Sequence, residues 1–368
     1  MVLLSEVVER HQGELERLHG PQLLPSHRQA LQAMRRCRRQ GGDLMVLRCS
    51  DCKHSLKVPH SCGHRSCPHC QHTDSQRWIE RQLAKLLPVE YFLITFTVPA
   101  QLRALFWSQQ RSCYDLLLKT AWQTVDSFAR RDPRLKGITG AHAVLHTHSR
   151  RLDFHPHVHL IVPAGAIHQK PAAVAGQNHG TERTWRIKEK GYLFPEANLA
   201  KVFRAKWLDG MRRAGWRVQA TLPRDWVVHC QSVGSGHKAL VYLGRYLYRG
   251  VLPEKDILSD RDGLITFRIR DNSGAVLIQS LPGAEFLWML LRHVLPKRFR
   301  RARDYGLLHG NSQKLLQVVQ LLLRVVLPEP WQGQQCQRQT KPPILCPHCG
   351  GVMAIIAVRV REINPAPA

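Results

Sequence analysis

The chain is short of acidic residues: 27 Asp and Glu stand against 54 Lys and Arg, giving a formal net charge of +27 and a pI near 10.3. That balance excludes a bland acidic enzyme and points to a polyanionic partner, nucleic acid before anionic lipid. It also lacks an apolar run long enough for a bilayer. The longest, Leu315 to Leu327, is interrupted by Gln317, Gln320 and Arg324, whereas a span needs about 20 predominantly apolar residues. The opening segment, Met1 to His11, carries Glu6, Glu9 and Arg10 and so has no apolar signal core. The expectation is a cytoplasmic, nucleoid-associated protein with no membrane partner. No internal repeat stands out. Disorder is excluded by a hydrophobic content of 43%, and 368 residues leave room for about two or three domains.

What the chain does have is cysteine and histidine, 11 and 21 of them, in clusters. In a reducing compartment clustered cysteines bind metal more often than they pair. Cys49-Ser-Asp-Cys52 and Cys67-Pro-His-Cys70 are two knuckles. Four thiolates so spaced suit a tetrahedral, structural Zn²⁺. Cys37 and Cys62 are then surplus: either packed, or part of a second site with His54, His60, His64 or His69. Basic residues flank the cluster, Arg65 among them, and suit phosphate contacts. A third knuckle, Cys346-Pro-His-Cys349, stands in a Pro- and Gln-containing stretch that reads as a partly ordered tail. Cys336 offers it a third ligand, and a fourth is lacking.

Between these ends the pattern is mixed. Tyr91 to Val98, Ala141 to His146, His157 to Val162, Trp226 to Val233 and Leu264 to Arg270 read as strands. Gln76 to Leu87, Leu102 to Arg130, Leu199 to Ala214, Lys238 to Arg249, Glu285 to Leu295 and Gln313 to Leu327 read as helices. The last two flank a basic run that starts with Lys297 and Arg298. Gln169 to Lys190 reads as a polar loop or insertion. Irregular alternation of this kind is α+β.

Two of these elements carry chemistry. In His155-Pro-His-Val-His159, alternation puts the three imidazoles on one strand face. Pro156 belongs at a strand start or edge, which leaves His157 and His159 as the pair that can converge on a divalent ion. His146 or His148, from the preceding strand, is the third ligand. In the helix from Lys238, with Ser235 as N-cap and Gly250 as C′ residue, Leu240, Leu243 and Leu247 form an apolar stripe. Tyr242, Arg245, Tyr246 and Arg249 form a second face, and Tyr248 points about 120° away from Tyr242. Tyrosine is a weak nucleophile at its usual pKa near 10, but cationic neighbours and a metal-polarised phosphate compensate.

Taken together these segments resemble the HUH-type tyrosine transposases of rolling-circle insertion sequences, the ninety-one family of bacterial insertion sequences. The resemblance runs through Ser61 to Gln71, Leu93 to Pro99, Leu145-His-Thr147, His157-Val158-His159, Tyr242-Leu-Gly-Arg-Tyr246, His293 to Lys297 and Tyr305 to Leu308. It implies a ferredoxin-like antiparallel sheet with flanking helices. It implies a nickase and strand transferase for single-stranded DNA and hairpin element ends, working through a 5′-phosphotyrosine. By position it assigns Mg²⁺ or Mn²⁺ to His157 and His159 with His146 third, Zn²⁺ to the N-terminal cysteines, and the nucleophilic role to Tyr242 and Tyr246. DNA contacts fall to Arg65, Arg245, Arg249, Lys297 and Arg298. Two positions depart from the family: His148 replaces a common aromatic residue, and Leu247-Tyr248 replaces a Thr-His pair. The domains expected are a zinc-binding one over 1–82, the tyrosine nuclease over 83–285, a basic helical segment over 286–330 and a tail over 331–368. The rivals are an HUH replication initiator or relaxase, and a non-enzymatic zinc-dependent DNA-binding protein.

Overall fold

The computed structural model describes residues 2–39, 43–68, 70, 72–171, 181–188, 190–247, 251–271, 273–325 and 344–360. Along the chain the helices are α1 (Leu4–His19), α2 (Pro25–Arg35), α3 (His72–Leu83), α4 (Arg103–Ser108), α5 (Gln110–Arg131), α6 (Glu196–Arg213), α7 (His237–Leu247), α8 (Gly283–Leu291) and α9 (Gln313–Leu322). The strands are β1 (Leu44–Cys49), β2 (Ser55–Pro59), β3 (Tyr91–Thr97), β4 (Gly140–His148), β5 (Phe154–Pro163), β6 (Gly165–Pro171), β7 (Thr181–Ile187), β8 (Val228–Ser232), β9 (Ile257–Arg261), β10 (Leu264–Arg270), β11 (Val276–Pro282), β12 (Ala302–Gly306) and β13 (Met353–Val360). No described helix is long and apolar enough to cross a membrane.

The chain divides into two compact units, each built from separated segments. One comprises 1–72, 248–294 and 328–368, the other 73–247 and 295–327. The four successive domains expected from the sequence therefore differ from the units observed, because distant segments share sheets and cores. In the first unit β13-β1-β2 and β11-β10-β9 form two antiparallel sheets. Helix α1 packs on α8, where the His11 ring meets Gly283 so closely that a Cβ there would sit 2.1 Å away. His11 Nε2 also lies 2.9 Å from Asp260 Oδ1, tying α1 to β9.

In the second unit the order β3, α4/α5, β4, β5, α6, β8 is a βαββαβ sequence, and the sheet runs β12-β4-β5-β3-β8 with antiparallel pairs throughout. This is the ferredoxin-like arrangement with one strand, β12, added beside β4. Alternation sorts the strands' side chains onto two faces. Phe92, Ile94, Phe96, Ala143, Leu145, Val158, Leu160 and Val162 face α5 and α6 and form the main core with Phe106, Leu117, Phe203 and Trp207. The opposite face receives Thr95, Val144, His146, His157 and His159.

Three expectations need correction here. The stretch Gln169 to Lys190 is not a plain loop: β6 and β7 pair in register from Gly165↔Ile187 to Pro171↔Thr181, and 172–180 lie outside the described residues. The helix expected from Leu102 to Arg130 is broken at Gln109, whose φ of −123° and ψ of 43° leave the helical region. Helix α7 starts two residues after Ser235. Gly236, at φ +75°, makes the turn instead and lies so close to the Tyr91 ring that a Cβ would sit 2.8 Å from it.

Candidate functional site

The open face of the second unit's sheet gathers the histidines by register. His146 on β4 stands opposite His157 on β5, while His159 is flanked by Val144 on one side and Thr95 on the other. The three rings each bring a nitrogen within 4.8 Å of the others. His157 Nδ1 donates to the His155 carbonyl at 2.7 Å, and His159 Nδ1 lies 2.9 Å from Thr95 Oγ1, so each keeps Nε2 for another partner. His146 Nε2 is buried with no hydrogen-bond partner. Burial holds the His157 pKa down to about 4 and the His159 pKa down to about 3. Burial, and then the neighbouring imidazoles and Arg301, hold His146 well below its ordinary value. Three neutral imidazoles, one with an orphaned nitrogen, fit a divalent ion.

His148 is not part of this group. The register slips between His146 and His148, and such a bulge re-aims the side chain. His148 Nδ1 instead lies 3.2 Å from the Ser149 carbonyl. His155 is also displaced from the triad, 3.4 Å from Arg103 Nη2.

Helix α7 lies over this face. The Tyr246 ring stacks on His146 with centroids 3.4 Å apart and planes 10° apart, and is 5.1 Å from the His148 ring. Burial pushes the Tyr246 phenol up to about 12, against the opposing pull of the Arg301 charge and hydrogen bonds from Thr147. Arg301 sits 5.5 Å from the Tyr246 ring centroid and donates to its carbonyl at 3.1 Å. Tyr242, one turn earlier, is 57% exposed. The two tyrosines expected as nucleophiles thus stand in different surroundings. Arg245 is exposed on the same helix, as are Lys297 and Arg298 on the segment before β12; Tyr248, Arg249 and Gly250 lie outside the described residues.

The close fit of α7 explains the glycine between the tyrosines. A Cβ on Gly244 would lie 2.3 Å from Ile79 Cγ1 and 3.0 Å from the Trp78 ring, and Ser75 Oγ donates to the Gly244 carbonyl at 2.9 Å.

Among the described residues of the first unit the cysteines form two groups, not the one expected. Cys67 and Cys70 meet Cys37 and Cys62, with Sγ–Sγ distances of 3.5 to 3.7 Å. Cys49 and Cys52 meet Cys346 and Cys349, with Cys49–Cys349 at 3.5 Å and Cys52–Cys346 at 3.7 Å. Cys49, Cys52, Cys67 and Cys70 cannot close one site because the β1–β2 hairpin separates them. Cys49 and Cys52 sit at its turn, while Pro59, which leads on to Cys62, pairs with Leu44 at its far end. At about 3.4 Å per residue, Ser55 to Pro59 alone spans roughly 14 Å. Arg65 lies half-buried between Cys62 and Cys67 in the chain. Within the tail, β13 pairs with β1; Cys336 and His69 lie outside the described residues.

These features define an α+β protein with a cysteine-rich unit and a histidine–tyrosine centre on a ferredoxin-like sheet. A family model described as "Putative transposase" matches residues 140–315, and one described as "Transposase zinc-binding domain" matches residues 7–98. "Putative transposase y4qJ" of Sinorhizobium fredii is 30% identical over 341 residues, covering 85% of this chain and 82% of the relative. The "Transposase for insertion sequence element IS801" of Pseudomonas savastanoi pv. phaseolicola is 27% identical over 330 residues, covering 85% and 80%. No solved structure matches the chain. The chain belongs to the transposases of the ninety-one family of bacterial insertion sequences, and it carries that family's zinc-binding domain.

Proposed function

We propose that the chain is a rolling-circle transposase that nicks and rejoins single-stranded DNA at element ends, including hairpins, with Tyr246 as the first nucleophile. The observation that carries this reading is the Tyr246 ring stacked 3.4 Å from the His146 ring, beside His157 and His159. His146, His157 and His159 would hold Mg²⁺ or Mn²⁺. When bound, such an ion polarises a phosphate oxygen as a Lewis acid. Arg301 and the exposed Arg245 supply guanidinium forks for the remaining phosphate oxygens. The Tyr246 oxygen bonds to phosphorus and the P–O3′ bond breaks. The tyrosine keeps the 5′-phosphate, and the phenolic proton ends on the free 3′-hydroxyl. Tyr242, exposed one turn away, offers a hydroxyl for a second strand while the first end stays covalently held.

In this reading Cys37, Cys62, Cys67 and Cys70 hold a structural Zn²⁺, and Arg65, Lys297, Arg298 and Arg249 contact the DNA backbone. The test is a denaturing gel of the protein with labelled single strands and Mg²⁺ or Mn²⁺. A protein–DNA adduct should form with the parent protein and vanish with His157→Ala. DNA binding should persist in that variant, because it rests mainly on phosphate contacts. Absence of any adduct from the parent protein would favour a non-enzymatic DNA-binding role. Cutting without joining of two element ends would favour a replication initiator or relaxase.

A further inference from the structure

The zinc-binding domain match stops at residue 98, yet one of the two cysteine groups is completed from beyond residue 340. We infer that Cys49, Cys52, Cys346 and Cys349 form a second tetrathiolate site for Zn²⁺, whose ligands come from two knuckles far apart in the chain.

Three features carry the inference. The first is distance. Four sulfurs bound at about 2.3 Å in a tetrahedron lie about 3.8 Å apart along each edge. The observed 3.5 and 3.7 Å approach that edge and far exceed the roughly 2.05 Å of a disulfide. The second is that both knuckles are held by backbone. The Cys49 N–H donates to the His54 carbonyl at 2.9 Å, and the Cys346 N–H to the Gly351 carbonyl at 2.8 Å. The Gly350 N–H returns to the Cys346 carbonyl at 2.9 Å, and the Ser50 N–H crosses to the Val352 carbonyl at 3.0 Å. The third is the glycine pair after Cys349. Gly350 turns at φ +75°, and a Cβ on Gly351 would sit 2.1 Å from Asp51 Oδ2 and 3.3 Å from Cys49 Sγ. A residue without a side chain lets the second knuckle close on the first without displacing Asp51 or Cys49. Beneath the sulfurs, Leu47, Cys49, Cys346 and Met353 form a small core shared by the β1 and β13 segments.

Such a core is small, and a tetrathiolate ion couples directly to folding in sites of this kind. The Cys52 and Cys349 side chains are exposed, so without a metal they would be open to alkylation and oxidation. The site is independent of the tyrosine chemistry, and its test reads metal rather than DNA cleavage.

The full chain purified without chelator should contain two zinc ions by elemental mass spectrometry, and the Cys346→Ser/Cys349→Ser variant one. A wild-type measurement covers the case in which that variant does not fold. Cys52 and Cys349 should react with N-ethylmaleimide at least tenfold faster after the zinc is removed by chelation, read by peptide mass spectrometry. One zinc in the parent protein, two in the folded variant, or equal labelling of Cys52 and Cys349 before and after chelation would each overturn the assignment.

Discussion

Tyr242 and Tyr246 are one helical turn apart, yet only Tyr246 rests on the histidine triad. The difference is set by α7, whose Leu240, Leu243 and Leu247 are buried and turn Tyr246 inward, leaving Tyr242 toward solvent. Tyr246→Phe keeps the stacking and removes the oxygen, so first-strand nicking should fall by at least about a thousandfold, the scale of losing a covalent nucleophile. Tyr242→Phe should leave that nick within about twofold and impair only the joining of a second end. Adduct formation by Tyr246→Phe at the parent rate would reassign the nucleophile. The imidazoles give a second prediction at this scale. Their folded pKa values lie below the unfolded value near 6.5. Between about 4 and 6.5 the unfolded chain therefore binds protons that the folded chain refuses, and stability falls as pH drops through that window. His27 and His155, also lowered by burial, add to the same trend. Melting of the metal-free protein should drop from pH 7.5 to pH 5, and His157→Gln/His159→Gln should flatten part of that drop. Identical profiles for the two proteins would contradict the assignment.

At the scale of elements, Gly244 is where α7 meets α3. Alanine there gains about 1 kcal/mol in helix propensity, but its methyl enters the space of Ile79 Cγ1. Overpacking of this kind costs about 1–3 kcal/mol, so Gly244→Ala should shift α7, lower the denaturation midpoint and reduce nicking together. Unchanged stability with normal nicking would mean the helix contact is slack. Strand identity and the histidine register were legible in the chain, because alternation leaves Val158 for the core and His157 and His159 for the open face. The pairing of knuckles was not. Spacing joins neighbours along the chain, and nothing in Cys49-Ser-Asp-Cys52 announces a partner in a turn 300 residues away. The glycines following Cys349 were the available signal: a turn residue beside a close-approach residue. Arg301 was masked by its basic run, since composition does not say which guanidinium turns toward the tyrosine.

For the whole molecule, a net charge of +27 makes affinity for DNA a function of salt. A protein making about 6–10 phosphate contacts loses roughly 10³- to 10⁵-fold in affinity between 50 and 200 mM salt. Binding to a single-stranded end should fall on that scale, and Lys297→Ala or Arg298→Ala should each reduce the slope of log affinity against log salt by about one. A slope unchanged in both variants would remove that segment from the interface.

The interleaving of the two units also has a meaning in time. Cys49 and Cys349 meet across 300 residues, so at about 5–20 residues per second a ribosome leaves Cys49 and Cys52 without their partners for roughly 15–60 s. The nascent chain thus exposes two soft ligands throughout most of its own synthesis. Completion of the first unit becomes a late event that a prematurely ended translation product never reaches.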